Sequence, residues 1–450
     1  MISIFLKGIT SIKKNDIPVE IYKKARYCIL DYLACSVAGA KNYSVQEKSY
    51  IDSLIKEVGV CSIIGHQPKT TMQSAALING ISAHVLELDD GHRIGMVHLG
   101  APIISAIMAV SEYERIQSKD ILYGVIIGYE TAIRLSCAIQ PGCKLKGFHA
   151  TGICGTIGAA VGVAATLGFN FDQMKSTMSA AITSAAGVLE MIEGDTQLKP
   201  FNAGRAAMDA VSSAYIGKAL FNPPMDALGG NRGLFKIMTD KVNMEYIESF
   251  NNNFYYINTI YNKPYAACRH CHPSIEAAIN LRKSMFPKIK EIKSINVLTY
   301  KLAVFGHEHK TIEGVNSAKM SIPYSLAVAL LKGKAGLFEY LSENIFDDEV
   351  LALTKKINVT ESKELTSLCP QKRVAIVIVD TESCQYIERI DYPKGEPENP
   401  LSEEEFYQKY IGLMDYAGVN RNIAKKCFYE ILDTDFNLYS ILDSINNFQC

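Results

Sequence analysis

One short segment of the sequence combines acidic with basic side chains at close spacing. Glu87–Arg93 reads ELDDGHR, and His98 follows five residues later. Carboxylates, imidazoles and a guanidinium in such proximity shift one another's pKa values, so they could supply an acid, a base or a clamp for an anion. The alternative is a charged loop in which Asp89 and Asp90 accept hydrogen bonds from backbone amides. The segment by itself leaves both interpretations open.

A second candidate is His149, in the segment GFHATG at the start of a glycine- and alanine-rich helix. A histidine at a helix N-terminus faces backbone N–H groups and the positive end of the helix dipole. That position favours a neutral imidazole and can receive an anionic ligand. A buried histidine with a purely structural hydrogen bond is the alternative. The glycines lack the G-x-G-x-x-G spacing and no strand precedes them, so we do not expect a dinucleotide site.

A third candidate is Lys199, in the segment Asp195–Pro200 (DTQLKP). Pro200 is expected to hold Lys199 in an extended or turn conformation, just before a helix that starts near Asn202. Without further context, an ordinary surface lysine is the favoured interpretation of this segment.

The segment KPYAACRHCHP places two cysteines and two histidines within five residues, namely Cys268, His270, Cys271 and His272. These residue types bind zinc, but a zinc site usually needs two ligand pairs separated by a loop, and a second pair is not evident. The C-x-x-C spacing also occurs in iron–sulfur proteins, where further ligands are required. We therefore do not expect metal binding from this segment.

The elements that must position these residues are mostly helices. In the first 220 residues, apolar side chains recur at three- and four-residue spacing, and many facing positions hold Ala, Gly or Ser, which predicts a dense helical core. The predicted helices are Val19–Ala40, Gln73–Leu88, Pro102–Glu114, Ile121–Ile139, Gly152–Leu167, Asp172–Leu189 and Ala203–Leu220.

The pattern changes between about residues 264 and 400. Alternating side chains predict strands at Ser294–Tyr300, Arg373–Asp380 and Gln385–Asp391, and helices lie among them at Ser274–Met285, Ser321–Lys332 and Asp347–Lys356. The expected fold class is mainly α. A large helical domain formed by both chain ends (1–263 and 401–450) would carry an inserted α+β domain (264–400).

Composition narrows the class of protein. The chain has 450 residues, and 46 Lys+Arg nearly balance 47 Asp+Glu, so neither nucleic acid nor an anionic membrane is expected as a partner. The N-terminal segment does not resemble a signal peptide, and cysteines such as Cys28 and Cys154 lie in apolar helical patterns, which favours the cytoplasm. Phe148–Phe171 is long enough to span a membrane, but its Gly, Ala and Thr content favours a helix in a protein core.

Taken together and in order, these segments resemble the MmgE/PrpD family, which includes 2-methylcitrate dehydratase, cis-aconitate decarboxylase and an iminodisuccinate epimerase. The resemblance covers essentially the whole chain. It is carried by ARYCILDYLACSVAG (25–39), NGISAHVLELDD, GFHATGICGTIGAA, QLKPFNAGRAA and KPYAACRHCHPSIEAA.

The resemblance implies a helical domain with an inserted α+β lid, a homodimer and no metal or organic cofactor. It also assigns site positions, which are Asp89 or Asp90, His98, His149, Lys199, Lys263, His272 and Arg269. Two features depart from the family. Cis-aconitate decarboxylases have a functional histidine at the position of Cys268, and their site tyrosine aligns roughly with Val304 or Phe305. Methylcitrate dehydratases have a longer segment between the acidic pair and the histidine.

The family reactions require a proton to be gained or lost at a carbon next to a carboxylate, or allylic to one. We expect a lyase that dehydrates or decarboxylates a small di- or tricarboxylic acid without metal. His149 or Lys199 would be the base and His98 the opposing acid. Lys263, Arg93 and Arg269 would bind substrate carboxylates. The acidic pair, Asp89 and Asp90, would orient His98 or His92, with Asp89 also near the substrate. His272 would contribute from the lid.

Three alternatives remain open from the sequence. The first is an epimerase of a small dicarboxylate, and the second is a carboxylate-binding protein that has lost catalysis. The third is a zinc protein that uses the Cys268–His272 segment.

Overall fold

The structure is a computed structural model that describes residues 1–192, 196–251, 253–285, 288–433 and 435–447. Helices account for 59% of the chain, which confirms the mainly α prediction. The chain forms two compact units. Unit 1 comprises Met1–Met191, Gln197–Ile260 and Glu403–Cys450, and unit 2 comprises Ile192–Thr196 and Tyr261–Ser402.

Unit 1 is built almost entirely of helices around a buried apolar core. A two-stranded antiparallel pair, Cys61–Ser62 with Lys69–Thr70, lies among them, and Gly91–His92 is a further short strand. The helices are Ile2–Ser11, Val19–Ala40, Val45–Leu54, Met72–Val85, Gly100–Glu114, Ser118–Ile139, Gly142–Leu145, Thr156–Thr166, Phe171–Ser184, Leu198–Lys218, Leu234–Met238, Glu245–Glu248, Glu403–Ala417, Arg421–Leu432 and Leu438–Asn446.

Small residues let the central helices of unit 1 approach closely. A Cβ added to Gly80, on helix Met72–Val85, would lie 2.7 Å from the Cα of Gly204 on helix Leu198–Lys218. Contacts below 3 Å cannot be accommodated without a shift of the backbone, so glycine at this crossing sets the distance between the two helix axes. The close crossing brings together the residues that follow Gly80 and those that precede Gly204.

The two long apolar segments of unit 1 are core helices. Ser118–Ile139 is long and apolar enough to cross a membrane, but 94% of its most apolar window is buried inside the structure, as in the core of a water-soluble protein. The glycine- and alanine-rich segment begins with a π-helical turn at Thr151–Gly155 and continues as helix Thr156–Thr166, and all of these residues are buried.

Two predicted helix boundaries in unit 1 are wrong by five residues. Helix Phe171–Ser184 ends five residues before the predicted Leu189, because the following residues pair with the chain ahead of the π-helical turn through the bridge Phe148–Val188. Helix Leu198–Lys218 begins before the predicted Ala203, so Lys199 lies in its first turn rather than in an extended segment. Proline is tolerated there because the first N–H groups of a helix have no intrahelical partner.

Unit 2 contains a four-stranded sheet with helices. The sheet order is Ile357–Glu361, Ile292–Thr299, Ala375–Thr381 and Gln385–Ile390, of which the first two strands are parallel and the others antiparallel. Three strands were predicted, and Ile357–Glu361 was missed. The helices are His272–Met285, Lys301–Val304, Val315–Met320, Ile322–Lys332, Asp348–Lys355 and Lys363–Leu368.

Candidate active site

Two histidines share one buried carboxylate in unit 1. His84 Nδ1 lies 2.8 Å from Asp89 Oδ2, and His98 Nδ1 lies 3.4 Å from the same oxygen. The two imidazole rings meet edge to face, with their centroids 4.6 Å apart. Burial alone would raise the pKa of Asp89, but the charges and hydrogen bonds of His84 and His98 outweigh burial and hold that pKa well below its usual range. Asp89 is therefore an anion in a dry environment.

The second carboxylate oxygen of Asp89 and the second ring nitrogen of His84 do not take part in this contact. Asp89 Oδ1 and His84 Nε2 are both buried, and neither has a hydrogen-bond partner in the described part of the chain. An unpartnered buried polar atom is costly, and such atoms concentrate where a ligand or a chemical role compensates for the cost. His98 is the least buried member, with 14% of its side chain exposed.

The Asp90 carboxylate binds the start of a helix and the hydroxyl of a tyrosine. Its Oδ1 accepts the N–H of Gly100 at 2.8 Å, at the start of helix Gly100–Glu114, and its Oδ2 accepts the hydroxyl of Tyr129 at 2.6 Å. Its backbone carbonyl accepts a hydrogen bond from His98 Nδ1 at 2.9 Å. Burial raises the pKa of Asp90 to about 7, although the hydrogen bonds from Tyr129 and Gly100 lower it. Asp90 thus fixes the helix start and, through its backbone, the orientation of His98.

His149 is buried in a different electrostatic setting. Its Nδ1 lies 2.7 Å from Asn202 Oδ1, which can only accept, so Nδ1 carries the proton and Nε2 keeps its lone pair. Burial, together with the electrostatic effect of Lys199, His84 and His98, lowers the pKa of His149 to about 3, although the hydrogen bond to Asn202 raises it. His149 is therefore a neutral imidazole of fixed tautomer, which agrees with the neutral form favoured by its sequence position.

Lys199 reaches the same region and forms an ion pair with Glu87. Glu87 adopts a left-handed backbone with φ of 56°, which costs about 1–3 kcal/mol for a non-glycine residue and persists where surrounding contacts demand it. Both side chains are largely buried, with 15% of Lys199 and 10% of Glu87 exposed. Lys199 is therefore a largely buried partner of a carboxylate, so the surface-lysine alternative does not describe it. Asp195, predicted in the same segment, lies outside the described residues.

A buried lysine links the acidic loop, residues 87–93, to a helix. Lys409 Nζ donates to Asp31 Oδ1 at 2.6 Å and to the carbonyl of Leu88 at 2.8 Å. Burial alone would lower the pKa of Lys409, but the Asp31 carboxylate raises it, so the amine stays charged. The backbone of His98 is also fixed, because its backbone N–H donates to the hydroxyl of Thr151 at 3.0 Å.

The remaining residues of the acidic loop lie further along it. His92 is on a short strand, where its Nδ1 accepts the N–H of Gly95 at 3.0 Å and lies 3.5 Å from the Cys137 thiol. Arg93 begins the turn that follows and is half-buried. Of the two histidines that the acidic pair was predicted to orient, His98 contacts Asp89.

In unit 2, Arg269 is saturated with contacts. Its Nε and one terminal nitrogen bind Glu396 Oε1 at 3.0 and 2.8 Å, and its guanidinium stacks over Tyr261 with 4.6 Å to the ring centroid. The other terminal nitrogen lies 2.7 Å from His272 Nδ1, and two backbone carbonyls accept the remaining N–H groups. His272 Nε2 donates to the carbonyl of Ala267 at 3.1 Å. Arg269 and His272 therefore order the chain before helix His272–Met285. Lys263 is fully buried in the same unit.

Sequence reasoning missed two members of the site, His84 and Asn202. His84 stands in the apolar context SAHVL on helix Met72–Val85, five residues before Asp89, and a histidine there needs a polar partner. Asn202 follows Lys199 by three residues and so lies on the same face of the helix start. These two positions come from the helices that cross at Gly80 and Gly204.

The cluster suits proton transfer, although metal binding has to be considered. Ligand-type atoms of His84, Asp89 and His98 lie within 4.8 Å of one another, and two histidines with one carboxylate can bind a metal. However, His84 Nδ1 already faces Asp89, and His98 Nδ1 donates to a carbonyl. One imidazole beside a carboxylate and one neutral imidazole on an amide match the requirements of an acid and a base.

Comparison with known proteins adds the family context. The MmgE/PrpD N-terminal domain matches residues 5–247, and the MmgE/PrpD C-terminal domain matches residues 265–428. The cis-aconitate decarboxylase of Aspergillus terreus is 26% identical over 432 residues, which cover 90% of this chain and 87% of that protein. The cis-aconitate decarboxylase-like protein oryM of Aspergillus oryzae is 24% identical, with 90% and 88% covered. The cis-aconitate decarboxylase of Mus musculus is 22% identical, with 90% and 85% covered.

Proposed function

Because the chain belongs to the MmgE/PrpD family, we propose that it is a lyase acting on a small di- or tricarboxylic acid by proton transfer next to a carboxylate. The net reaction is dehydration or decarboxylation, in line with the cis-aconitate decarboxylases among its relatives. The observation that supports it best is the pair of imidazoles, His98 and His149, in opposite electrostatic settings within unit 1.

In this mechanism His149 is the proton acceptor and His98 the donor. Asn202 holds the proton of His149 on Nδ1, so the lone pair of Nε2 can take a proton from a carbon acid. The pKa of His149, about 3, is low for a base, but a bound polycarboxylate brings negative charges that favour the imidazolium. His98 Nδ1 lies 3.4 Å from the anionic Asp89 carboxylate, and His98 is therefore assigned the role of the acid.

Lys199 has a different role from the base considered on the sequence. Its ammonium group is paired with Glu87, and it suits binding of a substrate carboxylate or stabilisation of an enolate oxygen. Asp90 positions His98 instead of transferring protons, since its carboxylate already accepts hydrogen bonds from Gly100 and Tyr129. The chemistry assigned to unit 1 needs only these side chains.

The other predicted substrate contacts rest on the resemblance. Lys263 and Arg93 stay candidates for binding substrate carboxylates, and Asp89, which is an anion, stays a predicted neighbour of the substrate. Arg269 and His272 are better assigned to positioning, because each has its nitrogen atoms engaged within unit 2. A homodimer and a cytoplasmic location also stay predictions, and light scattering of the purified protein measures the first.

The reaction is tested by proton exchange. The purified protein is incubated in deuterated water with 2-methylcitrate, cis-aconitate and iminodisuccinate and followed by proton NMR. Deuterium at a carbon next to a carboxylate shows proton transfer, and the product shows whether water or carbon dioxide is lost. His149→Gln should lower turnover by about two to four orders of magnitude, as expected for a general base.

The matched control is His66→Gln, because His66 is a partly buried histidine of unit 1 whose pKa is also lowered by burial. It should retain full turnover. A loss of less than tenfold in folded His149→Gln would contradict the assignment of the base. Absence of both exchange and turnover with every substrate, together with measurable binding, would favour a carboxylate-binding protein.

An epimerase is the second candidate. Two acid–base groups on separate elements, His98 after the acidic loop and His149 before the π-helical turn, could remove a proton from one face of a carbon and return it to the other. Deuterium incorporation with inversion, and without loss of water or carbon dioxide, would identify this reaction.

A further inference from the structure

A cluster of one thiol and two imidazoles lies in unit 2, and the proposed function assigns no role to its members. Cys268 Sγ and His307 Nε2 are 3.3 Å apart, and the rings of His270 and His307 have centroids 4.9 Å apart. The three side chains can each offer a ligand atom such that all of these atoms lie within 4.8 Å of one another. His307 comes from the loop after helix Lys301–Val304, so the cluster joins two distant parts of the sequence.

Both histidines are oriented through their Nδ1 atoms. His307 Nδ1 donates to the carbonyl of Phe305 at 2.9 Å, which fixes the tautomer and leaves the Nε2 lone pair facing the thiol. His270 Nδ1 lies 2.6 Å from the hydroxyl oxygen of Tyr300, which can accept a hydrogen bond from Nδ1 and so leave Nε2 for a ligand. Metal-binding histidines are oriented in this way by an outer layer of hydrogen bonds.

The spacing suits a small borderline-soft cation. Zinc binds sulfur at about 2.3 Å and imidazole nitrogen at about 2.0–2.1 Å, so the two ligand atoms on a tetrahedral ion are roughly 3.5 Å apart. The observed 3.3 Å between Cys268 Sγ and His307 Nε2 is close to that value. A thiol–imidazole hydrogen bond would explain this one distance, but it does not require the second imidazole of His270.

The backbone that carries Cys268 is ordered before any ion binds. The N–H of Cys268 donates to the carbonyl of Lys319 at 2.9 Å, and the N–H of Cys271 donates to the carbonyl of Cys268 at 2.8 Å. Cys268 is half-buried, which leaves one side of the cluster accessible. The other two candidate ligands of the same segment have other contacts. The Cys271 thiol faces the carbonyl of Lys319, and His272 Nδ1 faces the guanidinium of Arg269.

We propose that Cys268, His270 and His307 bind one divalent cation of the zinc class, with a fourth position open to water or an anion. Three protein ligands and one open position are the pattern of reactive rather than purely structural zinc sites. Binding requires the thiolate, so the Cys268 proton is released to solvent as the ion binds. This site does not depend on the proposed function, and it can be measured whether or not the chain turns over a carboxylate.

The experiment uses the full-length protein after chelation and dialysis. We titrate it with Zn²⁺ by calorimetry and with Co²⁺ by absorption spectroscopy, where a cobalt–thiolate bond gives a charge-transfer band in the near ultraviolet. We expect about one ion per chain, with that band present and with about one proton released. Cys268→Ser should abolish the band, and His307→Asn should weaken binding at least about tenfold.

Two further variants make the assignment specific. Cys384→Ser alters an exposed cysteine of the same unit and should change neither affinity nor spectrum. His84→Gln disrupts the histidine–carboxylate cluster of unit 1 and should also leave binding intact. The proposal is overturned if there is no stoichiometric binding, if the cobalt spectrum lacks the thiolate band, or if binding is lost in His84→Gln and kept in Cys268→Ser. Circular dichroism of each variant verifies folding.

Discussion

Replacing Asn202 by aspartate tests why His149 is neutral. The side-chain amide oxygen of Asn202 lies 2.7 Å from His149 Nδ1, and an aspartate has nearly the same shape. In the native protein burial lowers the pKa of His149 to about 3. The substitution adds one negative charge next to this ring and changes little else, so the protonation of His149 should respond directly.

The size of the response follows from electrostatics. Two unit charges about 4 Å apart interact by about 4 kcal/mol at the effective dielectric constant of about 20 that describes protein sites. Since one pKa unit corresponds to about 1.36 kcal/mol, the pKa of His149 should rise by about 3 units, from about 3 to about 6. The imidazole would then be partly protonated near neutral pH.

The assay requires no substrate. The chain has only nine histidines, so ¹⁵N-histidine labelling and long-range proton–nitrogen correlation spectra can follow each ring as the pH changes. His149→Gln assigns the resonance of His149. We expect a neutral ring with the proton on Nδ1 in the native protein down to about pH 5, and titration near pH 6 in Asn202→Asp. Asn202→Leu is the control, because it removes the acceptor without adding charge.

Two results would refute the reasoning. If His149 in the native protein titrates near the ordinary histidine value of about 6.5, burial is not the dominant influence. If the ring stays neutral throughout in Asn202→Asp, the introduced carboxylate has itself taken the proton, and the interaction is too weak to overcome the burial of two charges.

Three further perturbations test other parts of the structure. Glu396→Gln leaves the Arg269 guanidinium buried without its carboxylate, so urea unfolding should show a loss of about 3–5 kcal/mol, and a loss below 1 kcal/mol would contradict a buried ion pair. Lys199→Met should weaken binding of a polycarboxylate by about 10- to 150-fold in calorimetry, more than Glu87→Gln, and the reverse order would assign the anchor to Glu87. Asp90 has a pKa raised from 3.8 to about 7, so its contribution to stability is present below about pH 4 and lost as the pH rises through 7. Asn does not titrate, so the free energy of unfolding of Asp90→Asn minus that of the native protein should increase by up to about 4 kcal/mol as the pH rises from about 4 to 7. If this difference does not change with pH, Asp90 has an ordinary pKa.

Regular elements were predictable where local signals agree. Helix Val19–Ala40 has the predicted bounds, and Phe171–Ser184 begins after Asn170, which forms a capping box with Gln173. The strands Ile292–Thr299 and Ala375–Thr381 show the predicted alternation of buried and less buried side chains. The missed strand Ile357–Glu361 is mostly exposed and joins the edge of the sheet, so its pattern carries little hydrophobic signal.

Helix ends determined by tertiary pairing were not predictable. The pattern of apolar residues continues to Leu189, but the helix stops at Ser184 because the chain then forms a bridge with Phe148 and the N–H of His149 donates to the carbonyl of Gly187. Gly187 has φ of 139°, a conformation open to glycine and strained for other residues. Local sequence gives the glycine but not its partner.

The reactive residues of the candidate site were predictable from the sequence, but the residues that contact them were only partly so. The sequence indicated His98, His149 and Lys199 as reactive side chains, and the structure gives each of them a partner that local spacing does not specify. His84 and Asn202 reach the site because their helices cross at two glycines, which is a property of packing. Arg269 illustrates the converse, since an arginine in a motif suggests an anion site while its five N–H groups already have partners.

The contrast between His98 and His149 also separates an enzyme from a binding protein on this scaffold. A pocket that only binds carboxylates needs positive charge, which Lys199 supplies at little cost. Such a pocket gains nothing from a histidine whose pKa is lowered to about 3 by burial. It also gains nothing from a buried carboxylate that lies beside two histidines and has one oxygen without a hydrogen bond. The unpartnered oxygen costs stability, because a buried polar atom without a hydrogen bond is unfavourable by about 1–3 kcal/mol. Under the proposed function, an imidazole beside a carboxylate and a neutral imidazole on an amide act as acid and base, which accounts for both arrangements.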